Sequence, residues 1–135
     1  MPLAPGSSPT ILVVDDEPAV LNFVKLILET AGYPVLAACN GQEALAFFKN
    51  SGHSIDLLLT DINMPDLSGL ELACQASETV PDLPVMFMTG CRPDSPPIEF
   101  LRRDGPFGDC KVIRKPFTSP ELLGEVTGIL STALR

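Results

Sequence analysis

Four short apolar runs in this chain each lead into polar residues able to do chemistry. Ile11–Val14 leads into Asp15, Asp16 and Glu17. Leu57–Leu59 leads into Thr60 and Asp61, Val85–Met88 into Thr89 and Gly90, and Val112-Ile113 into Arg114, Lys115 and Pro116. Gathered in one place, Asp15, Asp16 and Asp61 could not all stay ionised unaided. A hard divalent cation resolves that conflict. Mg²⁺ takes oxygen ligands, keeps several waters, and is held by one or two carboxylates plus phosphate oxygens. Lys115 adds a compact positive charge for a phosphoryl oxygen or a carboxylate, and Thr89 adds a hydroxyl donor. A nucleophile, a metal and donors to the equatorial oxygens are what phosphoryl transfer onto an aspartate needs. Asp61 is the expected nucleophile, because a carboxylate at the tip of a buried strand is costly unless something pairs with it.

Each of these residues also has a plain structural reading. Asp15 and Asp16 could be the acidic start of a helix, and Asp61 a turn residue heading Asn63-Met64-Pro65-Asp66. Thr89 could be a polar strand end, and Lys115 a solvated lysine. Their common position, after an apolar run in every case, favours a site.

The elements that would position them alternate along the chain. The runs 11–14, 34–38, 55–59, 83–88 and 110–113 read as strands. Helical spacing occupies Pro18 to Ala31, with proline at the first position and Gly32 as a C-terminal cap. A second helix follows Asn40, with Glu43 three residues on. A third runs from about Gly69 to Ser77. The last opens on the capping box Thr118-Ser119-Pro120-Glu121 and carries an apolar stripe from Leu122 to Ala133. A fourth helix, between the last two strands, is expected to be short or degraded. Residues 90–109 hold four prolines and three glycines, leaving Ile98 to Asp104 at most. Five strands alternating with helices imply an α/β fold, a doubly wound parallel sheet with right-handed crossovers. Sites in such sheets lie at the carboxyl ends of the strands.

Composition narrows the function. The chain has 135 residues, 45% apolar and 19% charged, with a net charge of −8. One domain is expected, residues 10–133 preceded by a flexible lead-in over 1–9. So acidic a domain is a poor direct ligand for nucleic acid or anionic membranes. No apolar run reaches membrane-spanning length and no signal peptide is visible, so a cytoplasmic location without membrane insertion is expected. Cys39, Cys74, Cys91 and Cys110 lack metal-site clustering and read as reduced thiols. His53 reads as a loop residue, and Arg102 and Arg103 as a solvated face.

"ILVVDDEP", "LLLTDINMPDLSGLEL", "LPVMFMTG" and "VIRKPF", in this order and spacing, resemble the receiver domain of two-component response regulators. The resemblance covers about residues 10 to 133. It implies a flavodoxin-like five-stranded sheet of order 2-1-3-4-5. It implies a signalling phosphoacceptor rather than an enzyme, catalysing only its own phosphorylation and dephosphorylation at Asp61. The phosphoryl donor would be a histidine kinase or a histidine phosphotransfer protein, and the outcome a switch in partner binding. Mg²⁺ would be held by Asp16, Asp61 and the backbone carbonyl of Asn63, with Asp15 assisting. Thr89 and Lys115 would contact the phosphoryl group, and Lys115–Pro116 would be cis. Two departures stand out. Val112 occupies the position where the family usually carries an aromatic switch residue, and the fourth helix, part of the family's dimerising face, is reduced. "FMTGC" and "KVIRKPF" followed by "PELLGEV" look most like receivers of hybrid histidine kinases. A homodimer is compatible with the resemblance. A receiver-like module that binds proteins without phosphorylation is the alternative, and a chain ending at Arg135 would suit a single-domain regulator or a part of a larger one.

Overall fold

The computed structural model describes residues 9–51, 54–90 and 111–133. Five parallel strands form one sheet in the order β2-β1-β3-β4-β5. They are β1 (Ile11–Val14), β2 (Val35–Ala38), β3 (Leu57–Asp61), β4 (Val85–Thr89) and β5 (Lys111–Arg114). Four helices are described: α1 (Pro18–Thr30), α2 (Gly41–Ser51), α3 (Gly69–Thr79) and the C-terminal α4 (Ser119–Ala133). This is the expected doubly wound, flavodoxin-like topology. The reduced helix expected within 91–110 lies outside the described residues, as do His53, Cys91, Cys110, Arg102, Arg103 and residues 1–8. Among the described residues, no helix is long and apolar enough to cross a membrane. Cys39 and Cys74 are exposed free thiols.

The strands read as nearly unbroken apolar runs because both sheet faces are covered. Side chains still alternate between the faces. Leu12, Val14, Leu58 and Phe87 join Ala44, Phe48, Leu72 and Ala76 beneath α2 and α3. Ile11, Val13, Leu57, Leu59, Met86 and Met88 join Val24, Leu28, Leu122 and Val126 beneath α1 and α4. Val112 packs at the margin of the first cluster.

The helix ends follow their local chemistry. Gly32 takes a positive φ of 98°. The Tyr33 and Gly32 N–H groups then donate to the Leu28 and Glu29 carbonyls, a Schellman closure. Asn40 Oδ1 accepts the Glu43 N–H at 2.8 Å, and Glu43 Oε1 accepts the Cys39 N–H at 2.9 Å. Ser68 accepts the Glu71 N–H at the start of α3. Thr118 and Glu121 bond reciprocally before α4. Helix α3 runs two residues beyond the expected Ser77, to Thr79.

Strand β3 begins later and ends later than its apolar run suggests, at Leu57 and Asp61. Asp56 instead turns its carboxylate to the Thr10 N–H. At the other end Asp61 sits in register with Met88 of β4, and the Ile62 N–H reaches the Met88 carbonyl. The last two residues of the strand are polar, Thr60 and Asp61, yet both are buried.

Candidate functional site

The carboxyl ends of β1, β3, β4 and β5 converge because all five strands run the same way, and their tips carry the residues singled out above. Asp15 follows β1 directly and is fully buried; Asp61 closes β3 and is 2% exposed; Thr89 closes β4 and is also buried. Lys115 follows β5, and its N–H donates to the Thr89 carbonyl at 2.7 Å. The Lys115–Pro116 bond is cis, as expected.

Lys115 Nζ lies 2.8 Å from Asp15 Oδ2, 3.4 Å from Asp61 Oδ2 and 3.9 Å from Glu17 Oε1. The short contact with Asp15 is a hydrogen bond; the one with Asp61 is an ion pair not aligned as one. Lysine is therefore anchored on Asp15 rather than on the expected nucleophile. Asp15 Oδ1 accepts the Glu17 N–H at 2.9 Å, which fixes its carboxylate at the mouth of α1. The Asn63 N–H approaches Asp61 Oδ1 at 3.4 Å. Thr89 Oγ1 donates to the Gly90 carbonyl at 3.3 Å.

Burial pushes the Asp61 carboxyl above its ordinary range, and the Asp15 charge adds to this, while the Lys115 ammonium opposes it. Burial pushes the Lys115 ammonium down, but its bond to Asp15 and the charge of Asp61 reverse this, so lysine is held protonated.

Carboxylate oxygens of Asp15, Asp16 and Asp61 lie within 4.8 Å of one another. Two buried oxygens of this cluster, Asp16 Oδ1 and Asp61 Oδ2, have no hydrogen-bond partner among the described residues. Unsatisfied buried carboxylate oxygens are expensive. An all-oxygen set with two acceptors that no hydrogen bond satisfies fits a hard cation of the Mg²⁺ type.

A cleft of about 450 Å³ opens beside this cluster, lined by Glu17, Val20, Phe23, Gly90, Lys115, Pro116 and Phe117. The rings of Phe23 and Phe117 pack at 6.3 Å. Among the described residues, Phe23 and Leu26 of α1 are the large apolar side chains left exposed. The site therefore has an acidic floor and an apolar shoulder. Sequence reasoning gathered the floor but not the shoulder. Phe23 sits one helical turn after Ala19 and outside the buried stripe of α1, a displacement that was visible in the spacing.

Comparison with known proteins agrees with this geometry. The family model for the response regulator receiver domain matches residues 11–127. The chain is 39% identical to the response regulator receiver protein CpdR of Brucella abortus, covering 91% of this chain and 98% of that one. It is 32% identical to a part of the sensor kinase CckA of the same organism, covering 93% of this chain and 13% of that one. Against several transcriptional regulators it matches, the chain spans about half their length. A solved receiver domain protein from Methanospirillum hungatei superposes with a TM-score of 0.82 at 32% identity, covering 95% of this chain and 98% of that one. On the family match, these relatives and the shared strand order, this chain belongs to the receiver domain family of two-component response regulators.

Proposed function

We propose that this receiver accepts a phosphoryl group on Asp61 from a phosphohistidine of a histidine kinase or a histidine phosphotransfer protein, in a Mg²⁺-dependent reaction. One observation carries the reading: Asp61 Oδ2 is buried at a strand tip, lacks a hydrogen-bond partner, and faces a protonated lysine within a three-carboxylate cluster. Such an oxygen is desolvated and held only by the ion pair with Lys115, which suits an attacking carboxylate.

Asp61 attacks phosphorus, an O–P bond forms, and the P–N bond to the donor imidazole breaks. The imidazole departs with the electron pair and takes up a proton. Asp16, Asp61 and the Asn63 carbonyl would hold Mg²⁺, with Asp15 assisting. When bound, the ion supplies neutralisation of charge on the phosphoryl oxygens. Lys115 donates to one of those oxygens while keeping its bond to Asp15. Thr89 gives up the Gly90 carbonyl and donates to another. The acyl phosphate adds roughly two negative charges at the carboxyl end of β3, and Thr89 responds by leaving the Gly90 carbonyl.

Incubation with acetyl phosphate and Mg²⁺ should add one phosphoryl group to the intact mass. Removing the metal with EDTA should abolish the gain. No gain from acetyl phosphate or from a phosphorylated histidine domain, together with no binding of a beryllofluoride mimic, would return the domain to the role of a phosphorylation-independent binding module.

The apolar shoulder supports docking of a helical donor beside the acidic floor. Phe23→Ala should slow phosphotransfer from a phosphorylated histidine phosphotransfer domain about tenfold or more, the cost of an aromatic contact at an interface. Labelling by acetyl phosphate, which needs no docking surface, should stay within about twofold. Parallel time courses with the two donors check this, and equal losses with both would remove Phe23 from the docking surface.

A further inference from the structure

The loop between β3 and α3 carries Asn63, yet its placement is not left to the loop itself. At its far end Gly69 N–H donates to the Ile62 carbonyl at 2.9 Å, closing the loop on its own beginning. In between, Asp66 reaches across to another element. Its Oδ1 accepts the Gly41 N–H at 3.2 Å and its Oδ2 the Gln42 N–H at 3.0 Å. These are the first two backbone donors of α2. The adjacent Leu67 is buried against the same point. A Cβ built on Gly41 would lie 2.6 Å from the Leu67 Cβ. Only a residue without a side chain lets Leu67 sit there.

Asp66 supplies the acceptors for the Gly41 and Gln42 N–H groups, which the local capping box of α2 leaves unmet. Asn40 already takes the Glu43 N–H, and Glu43 reaches back to Cys39. Burial pushes the Asp66 carboxyl up, but the Gly41 and Gln42 N–H groups, with two more from its own loop, hold it below its ordinary range. The anion is thus kept on duty at any ordinary pH. A charged, bidentate bond between elements 24 and 25 residues apart, beside a steric socket of matching shape, is a clamp on the loop.

We propose that Asp66 and Leu67, gripping the start of α2 at Gly41 and Gln42, are positioning residues that set how tightly this domain binds its divalent cation, by fixing the loop that presents the Asn63 carbonyl. The inference rests on the reading of Asp16, Asp61 and Asn63 as the cation site. Asp66 touches neither the ion nor the phosphoryl group. It acts by holding a ligand-bearing backbone in place, so that the ion does not have to order the loop when it binds.

The test is a MgCl2 titration of the ¹⁵N-labelled 135-residue chain, following the Asn63 and Asp16 amide resonances, alongside the metal-free melting temperature. Asp66→Ala should raise the Mg²⁺ dissociation constant about tenfold, the lower end of what lost outer support costs a metal site. Asp66→Asn, which keeps one acceptor oxygen, should give a smaller rise. Gly41→Ala, which drives Leu67 from its socket without touching any charge, should weaken binding in the same direction. A purely structural clamp would lower the melting temperature while leaving the dissociation constant unchanged in all three variants, and that result would overturn the proposal. Should the unaltered protein show no Mg²⁺-dependent shifts at these amides, the cation site itself falls and the clamp with it. Binding by the unaltered protein with equal binding by the variants removes the clamp alone.

Discussion

Asp61→Asn is expected to abolish phosphorylation and, in the absence of metal, to make the domain more stable. The first effect follows from the loss of the proposed nucleophile. An amide oxygen does not form an acyl phosphate, so intact mass after incubation with acetyl phosphate and Mg²⁺ should show no adduct. The second effect follows from what Asp61 costs. Its carboxylate is 2% exposed, one oxygen has no hydrogen bond, and Asp15 stands nearby as a like charge. Lys115 compensates only in part, being bonded first to Asp15. Burial therefore leaves the Asp61 pKa raised in the folded state. A raised carboxyl pKa means that the folded protein binds this proton more tightly than the unfolded chain does. The stability it contributes is present in full below the unfolded value of about 3.9. It is lost as pH rises through the folded value. The asparagine variant has no such loss. Melting curves in EDTA should coincide most closely at acid pH and separate toward pH 7, the variant higher by about 1–2 kcal/mol, roughly 5 °C. Saturating Mg²⁺ should stabilise the unaltered protein more than the variant and close the gap. A variant that melts below the unaltered protein at pH 7 without metal would contradict the reading of Asp61 as a strained, functional carboxylate.

The proposed trade between stability and readiness is why the candidate cluster stands out in the sequence. Two acids after four apolar strand residues, and an acid closing another buried strand, are locally unfavourable choices, and such choices concentrate where a fold serves chemistry. Thr89 and Lys115 were weaker signals individually; they gained meaning only once the strand order placed their tips together. The fold itself was legible because both faces of a parallel sheet must be covered, which makes strands into compact apolar runs and helices into striped ones. Strand limits were less so. The apolar run ended at Leu59, but the ladder continues through Thr60 and Asp61. Hydrogen bonding does not stop where hydrophobicity does, and a strand that delivers polar residues to a site is where the two part.

Long-range polar contacts were not legible at all. Nothing in the stretch Pro65-Asp66-Leu67 indicates that Asp66 bonds to Gly41 and Gln42, because the residues come together only after two strands and a helix have been placed. The preference of lysine for Asp15 over Asp61 was hidden for the same reason. Which residues meet could be read from the strand ends, whereas the division of one ammonium among three carboxylates is set by tenths of an ångström.

Gly69→Ala is expected to damage both stability and the site, although glycine here opens a helix and its replacement by alanine would ordinarily help. Gly69 stands at the first position of α3, and its N–H bonds to the Ile62 carbonyl. An added Cβ would overlap the backbone carbonyl oxygen of Asp61 and press on the Ile62 Cα at 3.0 Å. These are backbone atoms at the end of central strand β3 and just beyond it, where Asp61 pairs with Met88 of β4, and they have no rotamer by which to yield. Overpacking of this kind costs about 1–3 kcal/mol or more, and the displaced residue is the proposed phosphoacceptor. Gly124 in α4 provides the contrast, since nothing lies within 4 Å of a Cβ built there. Gly124→Ala should therefore stabilise by about 0.5–1 kcal/mol, the gain in helix propensity. Urea denaturation should move the midpoint down for Gly69→Ala and up for Gly124→Ala. Acetyl phosphate labelling should slow about tenfold or more in the first and stay unchanged in the second, a displacement at the reacting group being what such positioning cannot tolerate. If Gly69→Ala unfolds at the same urea concentration as the unaltered protein and labels at the same rate, then the close passage of α3 over the Asp61 carbonyl does not hold the phosphoacceptor in place.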